Sequence, residues 1–333
     1  MLRFSWNTTE RPIVCLAPMA GVTDASYRQF IKRLAPDVIL YSEFLSTDAL
    51  AHGSRKTKEM MHFRPELERP FIVQVFGKKP EHFIEAARVV EQMGADGVDL
   101  NMGCPAAKIV SSSHGSALMK NPDLAAELVA ATVKVVSIPV SVKTRLGWDS
   151  ADSLIPFCRK LEEAGAAAFA VHGRRYTDKF TGMADWEPIY ELKKHVSVPV
   201  IGNGDIKSAD DARAKLHNLD GVMVGRGTFG NPWVMKEICD VLTPTPHPPP
   251  PSGEGGHAFH PPVTFQERVP FILEHCRLAV ELKGEERGMR EMRRHLSGYV
   301  KGFPGAAEMR AKLVRVERLE EVEEILSFKQ GTG

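Results

Sequence analysis

Eight short β-rich runs alternate with amphipathic stretches over residues 1–242, a proline-rich break follows, and the remainder shows helical spacing without strand signals. These three observations predict an α/β chain: a TIM (β/α)8 barrel with a C-terminal all-helical domain. On alternation alone, a doubly wound parallel sheet is the alternative.

The β-rich runs are Ile13–Ala17, Val38–Ser42, Phe71–Phe76, Gly97–Leu100, Val140–Thr144, Ala168–His172, Val200–Gly202 and Gly221–Val224. Between them lie helical stretches such as Glu81–Met93, Pro122–Val136, Ser153–Ala164, Trp186–His195 and Ser208–Leu216. Gly94, Pro139 and Pro199 stand just ahead of the fourth, fifth and seventh runs, where a helix or turn must stop before a strand begins. Eight such units in about 230 residues match the size of a barrel. Residues 243–263 hold eight of the 23 prolines and three glycines, a linker composition. Its histidines, His247, His257 and His260, lie among prolines with no thiol or carboxylate cluster, so no metal site is expected. From residue 264 to 333 the apolar positions Ile272, Cys276, Ala279, Met309, Leu313, Val316 and Val322 have helical spacing.

The 333 residues are 43% hydrophobic and 26% charged, a globular composition that excludes collagen-like, mucin-like and disordered chains. The formal net charge of +1 neither favours nor opposes a polyanionic partner. Apolar runs such as Val133–Ile138 fall far short of the roughly 20 residues of a membrane span, and the first residues lack the pattern of a secretory signal. No membrane association, a cytoplasmic location and a monomer are expected. The five cysteines are scattered without a C-x-x-C pair, so any special thiol acts singly. Cys15, Cys158, Cys239 and Cys276 fall in apolar patterns, whereas Cys104 stands between Gly103 and Pro105 just past a strand end.

Polar residues and glycines mark almost every strand end, where barrels carry their chemistry. They are Pro18-Met19-Ala20-Gly21, Glu43, Gln74, Asn101 to Pro105, Lys143 and Arg145, His172-Gly173-Arg174, Asn203-Gly204-Asp205 and Gly225-Arg226-Gly227. The last two, glycine-rich and at the seventh and eighth units, suit a phosphate-bearing ligand. Lys143 and Arg145 share a strand face and need an anionic ligand, or a carboxylate such as Glu43 or Asp99, to offset their desolvation.

These residues carry a resemblance. The segments LAPMAGVTD (Leu16–Asp24), NMGCPAAKIV (Asn101–Val110), VKTRLGWD (Val142–Asp149), VHGR (Val171–Arg174), GMADWEPI (Gly182–Ile189), PVIGNGDI (Pro199–Ile206), VMVGRGTFGNPW (Val222–Trp233) and HLSGYVKGFPGA (His295–Ala306) are similar to those of the flavin-dependent tRNA-dihydrouridine synthases, most of all the bacterial B-type branch. The resemblance implies an FMN-binding barrel at 1–242, a linker at 243–263 and a helical tRNA-binding domain at 264–333. It implies flavin contacts at Pro18, Met19, Ala20, Gln74, Lys143, His172, Asn203, Gly204, Asp205, Gly225 and Arg226. It further implies Cys104 as the catalytic acid, uracil contacts at Asn101, Arg145 and Arg174, and NADPH or NADH as reductant. The chain departs from the family pattern at Arg175 and Phe180, where Thr and Tyr are usual, and in the stretch Ser111-Ser112-Ser113-His114.

Other readings use the same residues. An FMN barrel acting on a free dihydropyrimidine or dihydroorotate explains the barrel but leaves the tail without a purpose. A noncatalytic RNA-binding barrel has no use for the set Cys104, Lys143, His172 and Arg174. Splitting the charge favours RNA: residues 281–315 hold nine basic residues against five glutamates, and residues 316–333 hold two against five. Arg290, Arg293, Arg294 and Lys301 are expected to form one helix stripe near Tyr299, a footprint for a phosphate backbone.

Overall fold

The computed structural model describes residues 4–243 and 264–327. Its strands are β1 (Ile13–Leu16), β2 (Ile39–Tyr41), β3 (Leu45–Ser46), β4 (Phe71–Phe76), β5 (Gly97–Met102), β6 (Val140–Arg145), β7 (Ala168–His172), β8 (Val200–Asn203) and β9 (Gly221–Val224). All pairings are parallel. β1 pairs with both β2 and β9, and β2 pairs with β4, so eight strands close into a barrel and the doubly wound alternative, which needs two free edges, is excluded. β3 is a two-residue addition beside β4, Leu45 opposite Val75, outside the eight expected runs.

β5, β6 and β8 run further than expected, so Asn101, Arg145 and Asn203 belong to the ladder. Register then sets the layers. Gln74 lies opposite Asp99 and Asp99 opposite Ser141; one layer higher, Asn101 lies opposite Lys143; above that, Arg145 pairs with His172 and His172 with Asn203. Beneath these polar layers the barrel is filled by Ile13, Cys15, Ile39, Tyr41, Ile72, Ala168, Ala170, Ile201 and Met223, together with Trp6 from the N-terminal segment. Alternation along each strand sends the other residues outward, into the layer between sheet and helices.

Helix Ala25–Leu34 opens on Asp24, whose carboxylate accepts from the Tyr27 N–H at 3.0 Å. Helix Ala209–Leu216 is capped by Ser208 in the same way, through the Asp211 N–H. The turn after β9 is a single 3-10 turn, Arg226–Thr228, and the following helix begins only at Val234.

The linker beyond Thr243, with His247, His257 and His260, lies outside the described residues. Among the described residues the tail contains four helices, Phe265–Lys283, Glu285–Tyr299, Ala306–Leu313 and Leu319–Ser327. A capping box between Thr264 and Glu267 starts the first. The tail core continues into the barrel's outer core. Tyr27 and Phe30 of the first barrel helix stack on His295 and His275, with ring centroids 4.9 and 5.2 Å apart. Polar ties reinforce the contact: Lys283 bridges Asp24 at 2.6 Å and Glu291 at 2.7 Å. Among the described residues no helix is long and apolar enough to cross a membrane.

Candidate active site

The loops at the C-terminal ends of the strands enclose a cleft of about 1160 Å³. Pro18, Met19, Ala20, Gln74, Asn101, Cys104, Lys143, Arg145, His172, Arg174, Asn203, Gly204, Asp205, Gly225, Arg226 and Lys301 all line it. Arg290, Arg293 and Arg294 do not. Parallel register accounts for the convergence, because every strand delivers its last residues to the same barrel end.

Cys104 is half-buried on the loop after β5, and the loop is held from two sides. Asn101 Oδ1 accepts from the N–H groups of Gly103 at 3.2 Å and Cys104 at 2.9 Å. Arg145 Nε donates to the Gly103 carbonyl at 2.8 Å. Burial raises the thiol pKa above its ordinary value and outweighs the opposing pull of the Ala106 backbone, Arg145 and Lys143. The sulfur is therefore a protonated thiol at neutral pH. The other four cysteines are buried in the core, as their apolar patterns lead one to expect.

Lys143 Nζ donates to Asn203 Oδ1 at 3.0 Å, and Asn203 Nδ2 donates to the Met223 carbonyl at 2.7 Å. Burial, then repulsion from Arg145, lowers the Lys143 pKa to about 8, with Asp99 partly opposing. Its direct partner is thus an amide. Glu43, the other carboxylate expected to offset it, instead accepts from the Gly21 N–H. His172 is kept neutral by burial and by the surrounding cations Lys143, Arg145, Arg174 and Arg226, and its Nδ1 is buried without a partner.

Two arginines organise the loop after β7. Arg145 Nη1 donates to the carbonyls of Arg175 at 3.1 Å and Lys179 at 2.7 Å. Arg174 donates to the carbonyls of Thr181 and Gly182 and, through Nη2, to Asp205 Oδ2 at 2.6 Å, while its Nη1 is buried without a partner. Asp205 is partly buried, but hydrogen bonds from Arg174 and the Ala184 N–H hold its carboxyl below the usual range. Arg175 closes its own loop by a two-point contact with Asp178. Phe180, 57% exposed, lies beside the guanidiniums of both Arg145 and Arg226, and Met183 next to it is 90% exposed, so this loop presents apolar surface at the rim.

The expected basic stripe is not a single surface. Tyr299 is fully buried, the helix ends there, and Lys301 lies beyond it on the cleft wall. Arg293 donates to the carbonyls of Val316 and Arg315, and Arg294 to those of Ala20 and Gly21. Arg290 is exposed, with Glu286 at 3.5 Å. Lys207 and Lys301, both on the cleft wall, form no ion pair among the described residues.

Sequence reasoning left Phe44, Lys207, Lys215 and Met183 out of the site: Phe44 and Lys207 follow shortly after strand ends, Lys215 lies in the last turn of the helix Ala209–Leu216, and only Met183 stood in a segment, GMADWEPI, that the sequence singled out. Asp99 and Ser141 did carry a signal: each stands two residues before a site residue on the same strand face. The donors left open could hold a planar heteroaromatic ligand with an anionic tail. They include His172 Nδ1 in the tautomer that carries its proton there, Arg174 Nη1, Arg145 Nη2 and one Asn101 amide N–H; Gly204, at φ +129°, packs so closely that a Cβ there would sit 2.8 Å from Ala184 Cβ.

Comparison with known proteins agrees with this geometry. Residues 15–331 match the family described as dihydrouridine synthase (Dus). The chain is 37% identical over 305 residues to the tRNA-dihydrouridine synthase B of Pseudomonas aeruginosa, covering 91% of this chain and 88% of that protein. It is 38% identical over 312 residues to the protein of the same name from Xanthomonas campestris, covering 93% and 90%. To a protein of Synechocystis sp. named probable tRNA-dihydrouridine synthase 1 it is 36% identical over 316 residues, covering 94% and 85%. With nearly its whole length matched and a barrel whose strand ends converge on Cys104, Lys143 and His172, the chain belongs to the dihydrouridine synthase family.

Proposed function

We propose that the chain is a tRNA-dihydrouridine synthase that reduces the C5=C6 bond of specific D-loop uridines, with FMN as bound cofactor, NADPH or NADH as electron source and Cys104 as proton donor. The observation that carries this reading is a half-buried thiol, Cys104, on the wall of a cleft lined by cations, with Arg145 bonded to the carbonyl next to it and Lys143 nearby. The family match and the names of the relatives support the substrate.

The residues fit the cofactor. Lys143 and Asn203 would meet the polar edge of an isoalloxazine, and Gly204, Gly225 and Arg226, in the turns just past β8 and β9, would take its phosphate. Bound flavin supplies the hydride that uracil C6 receives. The chain supplies the rest. Cys104 Sγ–H gives its proton to C5, a task suited to a thiol that stays protonated at neutral pH. Asn101 retains one amide N–H, Arg174 its Nη1 and Arg145 its Nη2 as donors toward the uracil carbonyls. Neutral His172 offers a hydrogen bond without adding charge beside Lys143. The base must leave the tRNA stack to reach this depth, and Lys207 and Lys301 stand where flanking phosphates would pass.

The test is single-turnover reduction of tRNA from a strain lacking the gene, with prereduced enzyme, followed by mapping of dihydrouridine. Wild type is expected to modify D-loop uridines. Cys104→Ala is expected to bind FMN and tRNA normally but to react slower by about 10²–10⁴. Reduction of free pyrimidine with none of tRNA would overturn the substrate assignment. An unchanged Cys104→Ala rate would overturn the role of the thiol.

A further inference from the structure

A continuous hydrogen-bonded line crosses three strands beneath the cleft and ends at the cysteine loop. Ser141 Oγ donates to Asp99 Oδ1 at 2.7 Å, and Gln74 Nε2 donates to Asp99 Oδ2 at 2.7 Å. Asn101 Nδ2 donates to Gln74 Oε1 at 2.8 Å, and Asn101 Oδ1 accepts from the Gly103 and Cys104 N–H groups. Asp99, Gln74 and Asn101 are all buried.

Both ends of this line have fixed polarity. Backbone N–H groups can only donate, and Asp99, whose pKa burial pushes up to about 6, is at neutral pH a carboxylate that can only accept, so the two amides between them have one arrangement that satisfies every bond. If Asn101 turned its amide over, two N–H groups would face an NH₂. If Gln74 turned over, its carbonyl would face the carboxylate. Either error would leave buried polar groups unpaired.

From this we infer that Asp99 is a positioning residue: by accepting from Gln74 it dictates the orientation of the Gln74 and Asn101 amides and thereby fixes the Cys104 loop. Asp99 does not line the cleft, so it acts through these amides without touching a ligand. Ser141 occupies the second carboxylate oxygen and keeps Asp99 turned toward Gln74. The consequence for catalysis rests on the proposed role of Cys104; the consequence for the loop does not.

The experiment compares Asp99→Leu with Asp99→Asn in the flavin-loaded enzyme. An asparagine can still present its carbonyl to Gln74 and point its NH₂ at Ser141 Oγ, which accepts it; leucine cannot. Asp99→Leu is expected to slow single-turnover tRNA reduction on the order of tenfold to a hundredfold, with tRNA affinity within about twofold. It should also speed iodoacetamide alkylation of Cys104 several-fold, and Asp99→Asn should restore both values. A folded, flavin-loaded Asp99→Leu enzyme with wild-type alkylation and turnover would overturn the inference, as would an Asp99→Asn enzyme as impaired as Asp99→Leu.

A polarity-reversal pair decides the matter even if Asp99→Leu does not fold. Asn101→Asp puts carboxylates at both ends of Gln74 and should lower Tm by about 4 °C. Adding Asp99→Asn lets the line run backwards: the new amide at position 99 donates to Gln74, and Gln74 donates to the new carboxylate at position 101, so Tm should recover. A double variant no more stable than Asn101→Asp would refute the inference. These Tm and alkylation readouts stand even if wild type fails to reduce tRNA, so failure of the functional reading is seen separately.

Discussion

Gly230 and Gly298 meet backbone to backbone. A side-chain carbon on Gly230 would run into the Gly298 carbonyl, and one on Gly298 would lie 2.8 Å from the Phe229 ring. The second tail helix therefore touches the main chain of the segment that leaves the cleft after β9. Tyr27 OH secures the same segment by donating to the Thr228 carbonyl at 2.7 Å.

Enlarging this contact should push the tail off the barrel. Gly298→Val is expected to lower stability by about 1–3 kcal/mol and to weaken tRNA binding more than flavin binding. Urea denaturation and paired titrations check this; an unchanged midpoint would show that the close approach is not needed.

Reduction should resist alkaline pH. A proton donor works while protonated, and burial moves the Cys104 thiol above its ordinary value, so the limb of the single-turnover rate that belongs to the thiol should lie above the usual thiol range, about 8.5, and beyond the loss of charge on Lys143 at about 8. A fall in rate centred below pH 8 in wild type would contradict this.

The basic residues of the tail should separate into two behaviours. Lys301→Glu is expected to weaken tRNA binding and to reduce the salt slope of log Kd by about 1, with Tm unchanged. Arg293→Glu removes the donors to the Val316 and Arg315 carbonyls and should lower Tm instead. Binding measured over a salt series, with Tm alongside, distinguishes them; equal salt slopes for the two variants would argue against the division.

The junction between barrel and tail should weaken in mild acid. Burial lowers the His295 pKa to about 4 and drives His275 further down, so both are neutral when folded. The unfolded chain binds these protons first, near pH 6.5, so stability falls as pH drops from there toward 4. His295 alone contributes roughly 3 kcal/mol over that window. His295→Phe should flatten part of the stability–pH curve, and an unaltered slope would exclude His295 as its source.

Much of the fold is legible in the sequence because parallel strands buried on both faces read as short apolar runs, each ended by a polar or glycine residue. The helix Ala25–Leu34 shows where pattern reading stalls. Arg28, Gln29 and Lys32 interrupt its apolar face yet are buried, because Glu68 satisfies Arg28 and Gln29 from elsewhere in the chain and the Pro36 carbonyl takes Lys32. The cleft residues are legible for the same reason as the strands. What each side chain is already bonded to is not. Asn101 and Arg145 hold the cysteine loop through main-chain groups whose positions depend on the closed barrel. In the tail, helical spacing does place Arg290, Arg293 and Arg294 together, but the carbonyls of residues 315 and 316, which take Arg293, come from a separate segment.

Arg145 bonds at once to the Gly103 carbonyl beside the thiol and to the Arg175 and Lys179 carbonyls of the rim loop. One guanidinium thus joins the part of the cleft that would deliver a proton to the part that would meet the body of the RNA. Grafting a rim loop from a relative with a different target uridine would therefore displace the acid as well, unless the graft preserved both carbonyl positions.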